Sequence, residues 1–139
     1  MGAFGRCYKE SDPFGIVKKY AMEDDVVWAI EPNATILGYI QSFYASSSIS
    51  IVSYHTLTQT IIDFANAAKN ATNKVVISQN YNEMSVQDVI DSNALLNAGV
   101  TIEVWAVDDV PTYKAYAPYV SAIISNKLSR KIVRRLDNQ

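Results

Sequence analysis

The chain alternates between short apolar runs and longer amphipathic segments. The apolar, β-rich runs lie at 26–31, 48–54, 74–79 and 101–107. Between them, apolar residues recur every three or four positions over about ten to fifteen residues, the spacing of a helix with one buried face. Strands joined through helices form right-handed crossovers and lie parallel. The pattern therefore predicts a three-layer α/β fold, with a mainly parallel sheet of four or five strands and helices on both faces.

Polar residues at the ends of the predicted helices support these boundaries. Asn33 precedes the first helix, and Thr56 or Thr58 precedes the second. Both residue types accept hydrogen bonds from the first backbone amides of a helix. An S-x-x-D pattern at 85–88 resembles a capping box before the third helix, and Gly99 supplies a left-handed residue to close it. The continuous apolar run at the first strand indicates burial on both sides.

The C-terminal third permits two interpretations. Apolar residues at helical spacing fit one long helix over 118–136, and a short strand over 119–124 followed by a helix fits as well. We predict one α/β domain over residues 26–125, with an N-terminal extension at 1–25. The segment 126–139, which is rich in basic residues, then forms a C-terminal helix of the same domain.

Composition restricts the class of protein. The chain has 139 residues, of which 49% are apolar and 19% charged, values typical of one globular domain. Its net charge of −2 provides no overall attraction to nucleic acid or acidic lipid. No apolar run reaches the roughly 18 residues that span a bilayer, and no signal-peptide pattern is present, so the compartment is unknown and cytoplasmic only by default. A single cysteine, Cys7, excludes an intrachain disulfide.

The best candidate for a site lies at the carboxyl ends of the predicted strands, where ligands of open parallel sheets usually bind. His55 follows the second strand and would act as an acid or base, oriented by Glu31 or Asp108. These three are the candidate catalytic residues. The candidate ligand-binding residues at the same edge are Tyr54, Gln79, Asn80 and Asp109. Strands also end in polar residues simply because loops are solvated, and we favour that interpretation.

No phosphate-binding loop follows the first strand. Residues 31–33, Glu-Pro-Asn, contain neither a G-x-G-x-x-G pattern nor a P-loop lysine, which argues against nucleotide binding. Histidine with carboxylates would suit a divalent cation, but the pattern is too sparse to assign one. We therefore predict no cofactor and no metal.

Positive charge is concentrated at the C-terminus. Residues 127–139 carry five basic residues against one acidic residue, whereas residues 1–126 carry seven against thirteen. Cations near a helix C-terminus stabilise its dipole, and these would also dock on the acidic body of the chain, which we favour over binding to nucleic acid. The candidate contact residues for nucleic acid or a partner are Lys127, Arg130, Lys131, Arg134 and Arg135.

The stretch 34–124 resembles one half of the phospholipase D-like fold. The resemblance rests on the helix at 36–40, the strand at 49–54 ending in Ser-Tyr, Leu57-Thr58 before the helix at 61–68, and the segment 93–100 running into a strand. It implies an α/β half-domain whose copies pair through the region after Val107.

The catalytic motif of that family is absent. The family uses H-x-K followed five residues later by Asp, with the histidine attacking phosphorus. The corresponding positions here hold Tyr116, Pro118 and Ile123, and His55, the only histidine, is not followed by x-Lys. A phenol with a reference pKa of about 10 is unsuited to the nucleophile's role. The chain is either a catalytically silent relative or an α/β protein that shares only the apolar pattern.

These observations favour a non-catalytic interaction or structural module that self-associates into a homodimer or larger assembly. Nine tyrosines and two tryptophans suit contact surfaces. One alternative is a small hydrolase or phosphodiesterase using the histidine and carboxylates at the strand ends. The other is a nucleic-acid accessory protein that binds through its basic C-terminal helix.

Overall fold

The computed structural model describes residues 15, 17, 19–54 and 56–128. Residues 15, 17 and 19 are helical, and Val17 is buried in the core. The elements that follow are β1 (Val27–Ile30), α1 (Ala34–Phe43), β2 (Ser48–Ser53), α2 (Gln59–Ala68), β3 (Val75–Asn80), a 3₁₀ turn (Tyr81–Glu83), α3 (Val86–Asn93), β4 (Val100–Trp105), α4 (Val110–Tyr116) and β5 (Ala122–Ile124). None of the described helices is both long and apolar enough to cross a membrane.

The five strands form one sheet in the order β1-β2-β3-β4-β5, and every neighbouring pair is parallel. The predicted α/β fold class, with a parallel sheet of five strands and helices between successive strands, is confirmed. Each strand lies next to the strand that follows it in sequence, so the strand order does not reverse direction anywhere in the described sheet. Successive right-handed crossovers therefore all move in the same direction and carry their helices to the same face of the sheet.

One face of the sheet, here called the core face, holds the hydrophobic core. Ile51, Ile77 and Ile102 align across the three central strands, and each is at most 1% exposed. Leu37 of α1 and Ala65 of α2 belong to the same buried cluster. The described residues thus build the sheet and the helical layer on its core face.

The opposite side, here called the open face, is formed by the alternate side chains of the same strands. Val27 is 58% exposed and Ile124 is 48% exposed, and Ala29 is also exposed. Among the strand residues of this face, only Ser50 and Ser78 are buried. The apolar run of β1 indicated burial on both sides, but the described helices bury their apolar residues against the core face.

The predicted helix starts are confirmed. The side chain of Asn33 accepts hydrogen bonds from the amides of Thr35 and Ile36, both at 3.0 Å. Thr58 is the residue that caps α2, and the capping box at 85–88 is present at the start of α3. These caps satisfy backbone amides that have no partner inside the helix.

The region after α3 differs in part from the predictions. Helix α3 ends at Asn93, so Gly99, with a φ of +84°, lies in the turn just before β4 instead of closing the helix. The short helix α4 was not predicted from the pattern, and it precedes the strand of the second C-terminal interpretation, which is confirmed as β5. Residues 126–128 of the C-terminal helix expected over 126–139 are described and are not helical, and the rest of that segment lies outside the described residues.

Candidate functional site

The predicted catalytic residues follow different strands of the sheet. Glu31 follows β1 and Asp108 lies after β4, so three strand spacings, about 14 Å, separate the backbones of the two strands. Glutamate and aspartate side chains are too short to close that gap. His55 lies outside the described residues, so its catalytic role stays a prediction.

The order of the strands also bears on the site. Ligands of open parallel sheets bind in the crevice that forms where the strand order reverses, because neighbouring loops there leave the sheet on opposite faces. The described sheet runs from β1 to β5 without a reversal. Its carboxyl edge therefore lacks the topological crevice on which the predicted site at the strand ends depended.

Asp108 joins the loop after β4 to the loop after β5. Its Oδ1 accepts hydrogen bonds from the amide of Asn126 at 2.9 Å and from the hydroxyl of Ser125 at 3.0 Å. The Ser125 hydroxyl oxygen in turn accepts a hydrogen bond from the amide of Leu128 at 2.9 Å. The Asn126 amide above all, with smaller contributions from Ser125 and Lys127, holds the pKa of Asp108 below its ordinary value against the opposing effect of desolvation. The carboxylate thus stabilises the edge of the sheet.

We expect Asp108→Ala to lower the melting temperature near neutral pH and to have little effect near pH 2. Because the folded-state pKa is depressed, the stabilisation is fully present above the unfolded pKa of about 3.9 and is lost as the pH falls through the folded pKa. Circular dichroism melts over a pH series measure this difference. The exposed Asp24 provides a control, since Asp24→Ala should change little at either pH. An equal loss for Asp108→Ala at both pH values would contradict the assigned role.

Three of the four predicted binding residues also serve the fold. The carboxylate of Asp109 caps α4 by accepting hydrogen bonds from the amide and the hydroxyl of Thr112, both at 2.8 Å. Gln79 and Asn80 are the last residues of β3. Gln79 is completely buried on the core face, and Asn80 accepts a hydrogen bond from the amide of Asn82 at 3.0 Å, which starts the 3₁₀ turn.

The fourth predicted binding residue, Tyr54, is 58% exposed. Its ring makes an edge contact with Trp105, with centroids 6.2 Å apart and planes at 73°. Asn80 pairs with Trp105, and Ser53, the residue before Tyr54, pairs with Gln79. Tyr54 and Trp105 therefore lean together over β3 on the open face of the sheet.

Glu103 and Trp105 were missed as site residues, although the sequence contains a signal for them. In β4, Val-Thr-Ile-Glu-Val-Trp, the aliphatic residues alternate with threonine, glutamate and tryptophan. Such alternation is typical of a strand with one buried and one solvated face. The aliphatic set lies on the core face, which leaves Glu103 and Trp105 side by side on the open face.

Tyr116, at the position of the family's histidine in the phospholipase D-like resemblance, is held inside the protein. Its single hydroxyl proton is shared between two backbone carbonyls, that of Met84 at 2.5 Å and that of Tyr81 at 3.2 Å. Burial first and the Asp88 carboxylate second raise the pKa of the Tyr116 phenol. A protonated, bound phenol is unsuited to nucleophilic attack.

The remaining candidates are a metal site and the basic contact residues near the C-terminus. No group of three or more histidine, cysteine, aspartate or glutamate residues there is arranged to hold a metal ion. Lys127 is exposed, and the other predicted basic contact residues, Arg130, Lys131, Arg134 and Arg135, lie outside the described residues. A groove of about 420 Å³ between α4 and β5 is lined by Tyr113, Ala117, Ile123 and Leu128, among others.

Comparison with protein families, with curated proteins and with solved structures finds no match. The class of protein is therefore defined by the fold and by the surface of the sheet. The chain is an α/β protein whose parallel sheet has a helix-covered core face and an open face bearing exposed apolar and aromatic side chains.

Proposed function

We propose that this chain is a non-catalytic interaction module that associates with itself through the open face of its sheet. The exposure of that face carries the proposal, since Val27, Tyr54 and Ile124 all present large apolar surfaces to solvent. Parallel sheets occur almost only with both faces covered. Covering the open face with a second copy removes apolar surface from water and so favours association.

The size of the open face limits the strength of that association. Five strands about 4.8 Å apart, with about 3.3 Å per residue along each strand, give a face of roughly 400 Å². A standard protein interface buries about 800 Å² on each partner. The face alone suits a weak, reversible contact, and a stable assembly requires a further segment of the chain.

The polar residues at the strand ends support a module without catalysis. Asp108, Asp109 and Asn80 are each bound within the fold, and Tyr116 is tied to backbone carbonyls. A catalytically silent relative of the phospholipase D-like family would also have these properties, because the motif that attacks phosphorus is missing. That kinship is part of the proposal.

A charge placed at the centre of the open face tests the function. Val76 lies there on β3 and is partly exposed. We expect Val76→Glu to weaken self-association by about tenfold or more, because a contact with a second copy would bury an unpaired carboxylate. Sedimentation equilibrium over a range of protein concentrations measures the change.

A matched variant separates surface charge from position. Thr60→Glu adds the same charge at an exposed site on α2 and should leave association unchanged. Circular dichroism establishes that both variants are folded. A wild-type chain that stays monomeric at high concentration would overturn the proposed function, and so would equal association by wild type and Val76→Glu.

A further inference from the structure

The open face has one place where aromatic and acidic side chains meet. Tyr54 and Trp105 make their edge contact at the carboxyl end of β2 and β4, and Glu103 lies next to Trp105 along β4 on the same face. The face of an aromatic ring attracts ammonium and guanidinium groups, Trp most strongly. A neighbouring carboxylate adds direct charge attraction and a hydrogen-bond acceptor. We call Tyr54, Glu103 and Trp105 the aromatic–acidic site.

We propose that the aromatic–acidic site binds an arginine or lysine side chain from residues 127–139 of a second copy of this chain. The inference rests on the proposed function, because it names the segment that one copy presents to the open face of the other. It also supplies the additional contact area that a stable assembly requires.

Charge complementarity selects this occupant. Glu103 is the one charged residue within the five described strands. Two open faces stacked directly on each other would remove two Glu103 carboxylates from water with no cation to pair with, which is strongly unfavourable. Residues 127–139 carry five basic residues against one acidic residue and so provide the missing cations.

The apolar pattern of the segment fits the same surface. Ile132 and Leu136 lie four positions apart, so they fall on the same side of a helix. A helix over residues 129–139 would be about 16 Å long, close to the width of the five-stranded sheet at about 19 Å. Its apolar stripe would cover Val27, Val52 and Val76 while an arginine beside the stripe reaches the aromatic–acidic site.

The path of the chain favours binding of the segment to a second copy over binding within the same molecule. Leu128 packs against the buried cluster and lines the groove with Tyr113 and Ala117. Ile123, which lines the same groove, belongs to the core face because it pairs with Val104. The described chain therefore ends on the core-face side of the sheet, across the sheet from its own aromatic–acidic site.

Charge reversal on both partners tests the inference. Glu103→Arg reverses the charge of the site, and the fourfold change Arg130→Glu, Lys131→Glu, Arg134→Glu and Arg135→Glu reverses the segment. Each full-length variant alone should self-associate at least about tenfold more weakly than wild type. Mixing the two variants should restore association, because each site then meets a segment of opposite charge. Sedimentation velocity with one variant fluorescently labelled detects the mixed species.

Two further variants control for charge and for shape. Asp63→Arg makes the same change of charge at an exposed position of α2 and should leave association unchanged. Trp105→Leu keeps an apolar side chain but removes the ring, and should weaken association about fivefold through loss of the cation–π contact. If Glu103→Arg does not fold, judged by circular dichroism, Glu103→Gln replaces it and should weaken association in the same direction.

The possible outcomes separate this inference from the proposed function. Loss of association in Val76→Glu without loss in either charge-reversed variant would overturn the aromatic–acidic site and leave the open-face contact intact. Failure of the mixture to associate would also overturn the site. A segment reversal that lowers folding stability independently of protein concentration would identify the chain's own segment as the occupant and overturn binding by a second copy. A wild-type chain that is monomeric throughout would overturn both proposals.

Discussion

Replacing Ile77 by alanine should lower the free energy of unfolding by about 2–5 kcal/mol, the usual loss when a large core side chain is truncated. Ile77 is completely buried on the core face, between Ile51 of β2 and Ile102 of β4. The change removes buried apolar contacts and leaves a cavity that the flanking strands cannot fill without distorting their pairing. Urea unfolding followed by circular dichroism measures the loss.

The same type of change on the other side of the sheet provides the control. Ile124 is 48% exposed on the open face, so Ile124→Ala should change the free energy of unfolding by only about 0.5 kcal/mol at low protein concentration. Equal losses at Ile77 and Ile124 would contradict the assignment of one core face and one open face.

Asn73→Ala should lower the free energy of unfolding by about 2 kcal/mol, because it removes two hydrogen bonds to backbone groups at and after the end of α2. Asn73 is only 3% exposed. Its Nδ2 donates to the carbonyl of Ala68 at the end of α2, and its Oδ1 accepts a hydrogen bond from the amide of Asn70, both at 2.9 Å. Thermal or urea unfolding measures the loss of stability.

The exposed Asn82 in the 3₁₀ turn is the matched site for this second experiment. Asn82→Ala makes the identical chemical change where water solvates the side chain, so we expect a change within about 0.5 kcal/mol. If Asn73→Ala were as mild as Asn82→Ala, the two hydrogen bonds of Asn73 would not be stabilising the turn between α2 and β3.

Local rules account for the features that the sequence predicted well. The caps at Asn33 and Thr58 and the capping box at Ser85 depend on residues within one turn of helix, so they can be read from spacing alone. The parallel pairing of the strands follows from helices long enough to serve as crossovers. The short helix α4 was not predicted, because a seven-residue helix has too few turns to show an apolar periodicity.

Contacts between distant parts of the chain account for what the sequence did not show. The pattern of βαβ units is the same whether the strand order continues or reverses, so the uniform order β1 to β5, and with it the open face, could not be predicted. The hydrogen bonds that Asp108 accepts from Ser125 and Asn126 join loops far apart in sequence. For the same reason, the sequence does not distinguish a carboxylate at a strand end that takes part in catalysis from one that stabilises the fold.

Association through the open face is tested most directly by a dilution series followed by amide NMR. We predict concentration-dependent shifts at open-face positions such as Val52, Val76 and Trp105, with the exposed residues of α2 unchanged. Shifts confined to the helical layer would contradict the account. The absence of any shift from the most concentrated sample to the most dilute would contradict it as well.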